Sequence, residues 1–201
     1  MRTVLIALGV LTFLASTASA QAIDGSLRLH LEVPVLGYQS QELTADGADD
    51  GASISIVTVG PSTSTLGFGL GYGLSDMLVL GTNVALQHTS VSPEEGDSAS
   101  TTSVQLLPYI EAVFGQGSAR PFVGGNLMLQ IRSGENTDAT MFGLGALGGV
   151  HAFLNEWVSL DVSARIYYMT GTVTVDNGVA ESDADMSELG VLLLLGVSGW
   201  S

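Results

Sequence analysis

Residues 65–75 read Thr-Leu-Gly-Phe-Gly-Leu-Gly-Tyr-Gly-Leu-Ser. Leu66, Phe68, Leu70, Tyr72 and Leu74 take every second position, and glycine fills each one between. A period of two belongs to an extended strand, whose side chains point to opposite faces in turn; a helix would scatter these residues around its axis. One face of this strand is therefore wholly apolar, and the other carries no side chains between Thr65 and Ser75. Such a bare face fits a place where side chains from other strands need room.

The same alternation runs outward in both directions. Upstream, Leu27, Leu29, Leu31, Val33 and Val35 share one face, with Arg28, His30 and Glu32 on the other. Downstream, Leu78, Leu80, Thr82, Val84 and Leu86 oppose Val79, Gly81, Asn83, Ala85 and Gln87, and then come Val104, Leu106, Pro108, Ile110, Ala112 and Phe114. Four more segments, 121–131, 142–154, 158–168 and 189–199, bring the number of strands to eight. The last is apolar on both faces, so periodicity leaves its facing open. Within 53–64, Ile54, Ile56 and Thr58 alternate before Pro61 interrupts, which predicts an extension of the second strand beyond the bilayer.

Connections alternate in length. Short turns fall near Ser75-Asp76, at 115–118 and at Asn155-Glu156; polar loops are predicted at 39–52, 92–100, 133–139 and 175–186. Two short-turn hairpins resemble each other, at 74–80 and 154–160. Short turns at one end and long loops at the other describe an all-β, antiparallel up-and-down meander.

Residues 1–20 open with Arg2, run through an apolar stretch from Val4 to Leu14 and end Ala18-Ser19-Ala20. This predicts a secretory signal peptide, with the barrel domain over 21–201; the stretch is well short of the about 20 residues a membrane helix needs. Across the 201 residues there are 26 Gly, no Cys, 12% charged side chains and a formal net charge of −15. With five basic residues, all Arg, the chain has no footprint for gripping nucleic-acid phosphates. The absence of Cys removes disulfides and thiolate chemistry.

Taken together, the leader, the eight amphipathic strands, the alternating connections and a last strand ending in Trp200-Ser201 resemble the small eight-stranded outer-membrane β-barrels of Gram-negative bacteria, of the OmpA and OmpX transmembrane type. The resemblance covers essentially the whole mature chain. It implies an integral protein of the outer membrane, in contact with its lipid and lipopolysaccharide, monomeric and without a cofactor.

A soluble barrel would show the same alternation turned inside out, and composition decides between the two. With the mixed faces outward, the few strand charges would have to supply a surface that needs about 25–35% charged residues. With the apolar faces in lipid, every strand charge falls inside, where the bilayer requires it, and closure pairs the backbone. Gly67, Gly69, Gly71 and Gly73, with Gly143, Gly145 and Gly149, would make room for arginines reaching across a narrow lumen. Tyr72, Phe114, Phe153, Trp157 and Trp200 gather near the short-turn end, and Tyr38, Phe142, Tyr167 and Tyr168 near the other, as interfacial girdles would.

By parity the interior holds Arg28, Glu32, Glu111, Arg120, Asp161 and Arg165, predicted to form an ion-pair network, with Arg132 higher up. Such a network either plugs the core or gates an ion path, and in a barrel this narrow a plug is expected. His30 and His151 also face inward and read as hydrogen-bonded core residues, unspaced for metal. Catalysis has a single candidate fragment, His88-Thr89-Ser90, which lacks a fixed acid and reads as a polar strand end.

The loop carboxylates include Asp46, Asp49, Asp50, Glu94, Glu95, Asp183, Asp185 and Glu188. The run 46–51 has Ala48 at a ligand position and Val57 where a closing Glu would stand, so it is no EF-hand. These acids form a solvated crown, and Asp46, Asp49, Asp50, Asp183 and Asp185 are candidate contacts for divalent cations bridging to lipopolysaccharide phosphates. The sequence thus predicts a structural, surface-displaying outer-membrane barrel, with a narrow porin-like channel as the alternative and a lipid-A-modifying enzyme behind that.

Overall fold

The structure, a computed structural model, describes residues 23–45, 51–59, 65–91, 99–134, 137–176 and 181–201. Residues 1–20, read from the sequence as a leader, and the carboxylates Asp46, Asp49, Asp50, Glu94 and Glu95 lie outside the described residues. Its elements are β1 (Leu27–Ala45), β2 (Ala52–Val59), β3 (Thr65–Ser75), β4 (Leu78–Val91), β5 (Ala99–Val113), β6 (Ala119–Gly134), β7 (Thr137–Phe153), β8 (Val158–Asp176) and β9 (Glu181–Trp200). Every pairing is antiparallel, successive strands from β3 to β9 are neighbours, and β9 closes on β1 from Arg28↔Trp200 to Ala45↔Ala184.

The ring has eight places, because β2 and β3 share one. β3 pairs with Leu27 to Glu32 of β1, and β2 pairs further up the same edge, Leu36↔Val59 to Leu43↔Ala52. Alternation around Ile54 and Ile56 thus continues the second strand, as a separate element.

Several stretches predicted as loops are paired strand. Residues 39–45, 133–134, 137–139 and most of 175–186 belong to ladders, for example Thr44↔Asp185 and Asp138↔Thr174. Polar side chains there do not break the sheet, since above the bilayer water solvates them while the backbone still needs partners.

β1 changes face at one point. Its register with β9 shifts between Pro34 and Leu36. Proline offers no N–H to the ladder, and a bulge of one residue at Val35 turns the strand over. Arg28, His30 and Glu32 point inward below the shift, whereas Gly37, Gln39 and Gln41 do so above it, leaving Leu36 and Tyr38 outside.

The outer surface is apolar over a broad band. Leu29, Leu70, Leu127, Phe142 and Ile166 are all more than half exposed, and Leu144 reaches 66%. In water a belt of this extent would drive association. β9 is resolved by register: Leu189, Val191, Leu193, Leu195 and Val197 face out, while Leu194, Ser198 and Trp200 are buried.

Only some of the aromatics near the two ends have outward parity. Tyr72, Phe114 and Trp157, and at the other end Tyr38, Phe142 and Tyr168, are exposed, but Phe153, Trp200 and Tyr167 point inward. Parity, rather than height, sets their environment. Phe153 and Trp200 join Ile23, Val79, Tyr109, Val113 and Phe122 in an apolar cluster at the short-turn end.

The glycines of β3 face inward and make room, though the occupants are mostly not arginines. A Cβ on Gly67 would stand 2.8 Å from Glu32 Cγ, and one on Gly71 2.7 Å from the Tyr109 hydroxyl. Gly69 is crowded by Asn83, and in β7 Gly145 faces Asn126 and Gly149 faces Phe122. Gly115, at φ +81°, makes the left-handed step in the β5–β6 turn that a side chain would strain.

Candidate functional site

Alternation on four strands aims charged side chains into one stretch of the lumen. β1 contributes Arg28, His30 and Glu32, β5 Glu111, β7 His151, and β8 Asp161 and Arg165. Arg28, 2% exposed, is the hub. Its Nη1 lies 2.7 Å from Glu111 Oε2, its Nη2 3.3 Å from Asp161 Oδ2, and its Nε donates to Ser198 Oγ at 2.9 Å. The guanidinium carbon is 5.3 Å from the Trp200 ring centroid, within cation–π range.

Asp161 is held from several sides. The Ser159 hydroxyl donates to Oδ1 at 2.9 Å, His151 Nδ1 lies 2.7 Å from the same oxygen, and the Ser198 hydroxyl donates to Oδ2. Above it, Glu32 Oε1 takes Arg165 Nη2 at 3.0 Å and Asn83 Nδ2 at 3.2 Å. His30 links the two levels, with Nε2 3.1 Å from Glu32 and Nδ1 3.2 Å from Asp161. At Nδ1 the ring also meets Ser198 Oγ at 3.0 Å and Arg28 Nη2 at 3.3 Å, which ties it to the hub.

His151 is stacked on Phe122, with ring centroids 4.3 Å apart, and meets the edge of Trp200 at 5.6 Å. Trp200, whose ring lies at 79° to that of His151, donates Nε1–H to Ser159 Oγ at 3.0 Å. Arg120 sits toward the short-turn end, its guanidinium carbon 5.0 Å from the Phe153 ring centroid and its Nε donating to the Gly117 carbonyl at 3.3 Å.

Of the residues read from the sequence, the structure brings Arg28, Glu32, Glu111, Asp161 and Arg165 into one connected column. Parity had placed His30 and His151 inside, but not as members of it; their role depends on which strands meet, which a single strand does not reveal. Beside the column is a cavity of about 20 Å³, room for roughly one water. Asn83 Oδ1, the Tyr109 hydroxyl, Asn126 Oδ1 and Arg165 Nε, from residues lining it, have no hydrogen-bond partner among the described residues.

Further up, Ala85, Leu107 and Met128 belong to a second apolar cluster that also includes Met141, Tyr167, Met169 and Met186. They stand two residues below Gln87, Gln105 and Gln130 on β4, β5 and β6. Glu188, read from sequence as part of the acidic crown, is 2% exposed within the barrel. It accepts from Tyr167 Oη at 2.6 Å and Gln41 Nε2 at 2.7 Å, and Arg132 Nη2 lies 3.7 Å away. The apolar run after Glu188 hid it, since its inward parity could be read only once the facing of β9 was known.

The remaining candidates do not converge. His88 is exposed, its Nδ1 3.1 Å from Thr102 Oγ1, and the Ser90 side chain lies outside the described residues. Asp183 and Asp185 are exposed on β9, where Asp183 accepts from Thr174 Oγ1 at 2.8 Å. Among the described residues no three His, Asp or Glu side chains are arranged to hold a metal ion.

No protein-family model matches the chain, and no curated protein does. Solved structures do match it. The outer membrane protein OprG from Pseudomonas aeruginosa aligns over 92% of this chain and 99% of its own, at 10% identity and a TM-score of 0.61. The outer membrane protein AlkL, determined in lipid bilayers, aligns over 93% and 94% at 16% identity and 0.64, and Neisserial surface protein A over 88% and 99% at 17% and 0.51. With the closed antiparallel ring and its apolar exterior, these likenesses give the chain the fold of the small eight-stranded outer-membrane β-barrels.

Proposed function

We propose that the protein is a monomeric outer-membrane barrel with a structural and surface-displaying role, its lumen closed and without catalysis. The carrying observation is what fills the interior: the column from Arg28 to Arg165 leaves a space of about 20 Å³ beside it, enough for roughly one water. Above it, the Ala85, Leu107 and Met128 layer adds an apolar barrier. An ion entering from either end would have to displace paired charges or cross that layer stripped of water. The acidic loops, Asp46, Asp49 and Asp50 among them, would attract divalent cations and so tie the barrel to lipopolysaccharide phosphates.

Refolded protein in planar bilayers is expected to give no stable conductance steps, and liposomes carrying it to swell in small isosmotic solutes no faster than protein-free ones. Reproducible unitary steps in the unmodified chain would contradict a closed lumen and favour a narrow channel.

A further inference from the structure

The barrel has a second interior cavity, of about 280 Å³, among the strand ends on the long-connection side. Gln39, Gln41, Gln87, Gln105 and Gln130, from four strands, line it. Its charges are already committed, since Glu188 is held by Tyr167 and Gln41 and faces Arg132. Gln39 Nε2 also donates to Tyr167 Oη at 2.6 Å and to Glu188 at 3.3 Å, so the uncharged capacity left to a ligand is the amide oxygens together with the Gln87 and Gln105 side chains, each of which carries both a donor and an acceptor group. Gln130, 1% exposed, gives Nε2 to Ser103 Oγ at 2.7 Å, while its Oε1 has no partner among the described residues.

We infer that this cavity binds the ring of a neutral saccharide. A sugar hydroxyl is donor and acceptor at once, the complement of an amide wall, and Ile56 offers an apolar side for the C–H face of the ring. An apolar ligand would leave the amides unpaired when it displaced their water. An anion would meet the buried Glu188 and the acidic chain around it. At about 30 Å³ per water, the space equals roughly nine waters, the scale of one sugar ring. Beneath Gln87, Gln105 and Gln130 stand Ala85, Leu107 and Met128, packed in one apolar cluster with Tyr167, Met169 and Leu192 of β8 and β9, so the space has an apolar underside and is read as a binding cup.

The test uses the full mature chain refolded in a zwitterionic detergent without a sugar headgroup, with its glutamine side-chain amides labelled for NMR. Glucose, galactose and N-acetylglucosamine are titrated in one arm, and an uncharged hexose oligosaccharide released from a glycolipid headgroup in the other. Saturable shifts confined to the cavity glutamines are expected in at least one arm. Binding in the first points to free sugars, and binding in the second alone to a surface glycolipid. Gln130→Met, or Gln105→Leu should the first not fold, is expected to weaken binding about tenfold, as loss of one well-placed hydrogen bond would. The inference is overturned if no probe gives saturable shifts, or if both variants fold and bind like the parent. Neither result bears on conductance, so the closed-lumen reading stands or falls separately.

Discussion

Arg28→Met is expected to destabilise the folded barrel by about 3–5 kcal/mol, the usual cost of leaving a buried charge without its partner. Methionine keeps most of the side chain's length, so packing against Trp200 and Tyr109 is only modestly disturbed. The loss instead falls on Glu111, whose partner at 2.7 Å disappears, and on Asp161, which retains its serines and histidines. Reversible urea unfolding in detergent or lipid vesicles would measure it. Arg28→Met combined with Glu111→Gln is expected to recover part of that stability, because the stranded carboxylate is then gone. If the single change were nearly neutral, the column would be packing filler and its electrostatic coupling would be refuted.

The second large effect lies on the opposite face. Leu31 is exposed between Phe68 of β3 and Val197 of β9, partway along the apolar column of β1. Leu31→Arg is expected to cost about 2–4 kcal/mol, the figure for a charge on the lipid face near the midplane. Leu31→Ala separates this from lost side-chain contact and should cost much less. Both can be read from the same unfolding curves. Arginine tolerated at 31 without loss of stability would mean that this face meets water.

The contrast between these two positions shows what a period of two can and cannot reveal. It placed Arg28 inside and Leu31 outside before any contact was known, because parity along one strand is a local property. Which inward residues meet is set by register between strands, and so the junction of His30 and His151 at Asp161 could not be read. The face change in β1 at Pro34 has a local cause, yet its consequence, that Gln39 and Gln41 turn inward, depends on the slip against β9. In β9 the run from Val191 to Leu195 is apolar on both faces, so alternation is silent there and Glu188 was placed outside. Polar composition at 175–186 suggested a loop where the ladder in fact continues, since paired strands above the bilayer carry side chains like those of loops.

Because the chain has no native cysteine, the orientation at the centre of this account can be probed directly. Single cysteines carrying nitroxide spin labels are placed in turn at 191–197 of β9, and the protein is reconstituted in lipid vesicles. Collision with oxygen, which concentrates in lipid, is compared with collision with a water-soluble nickel chelate. Labels at Val191, Leu193, Leu195 and Val197 are predicted to be relaxed by oxygen and shielded from nickel, alternating with 192, 194 and 196, shielded from both. Nickel access at the odd positions, or no alternation along the strand, would contradict it.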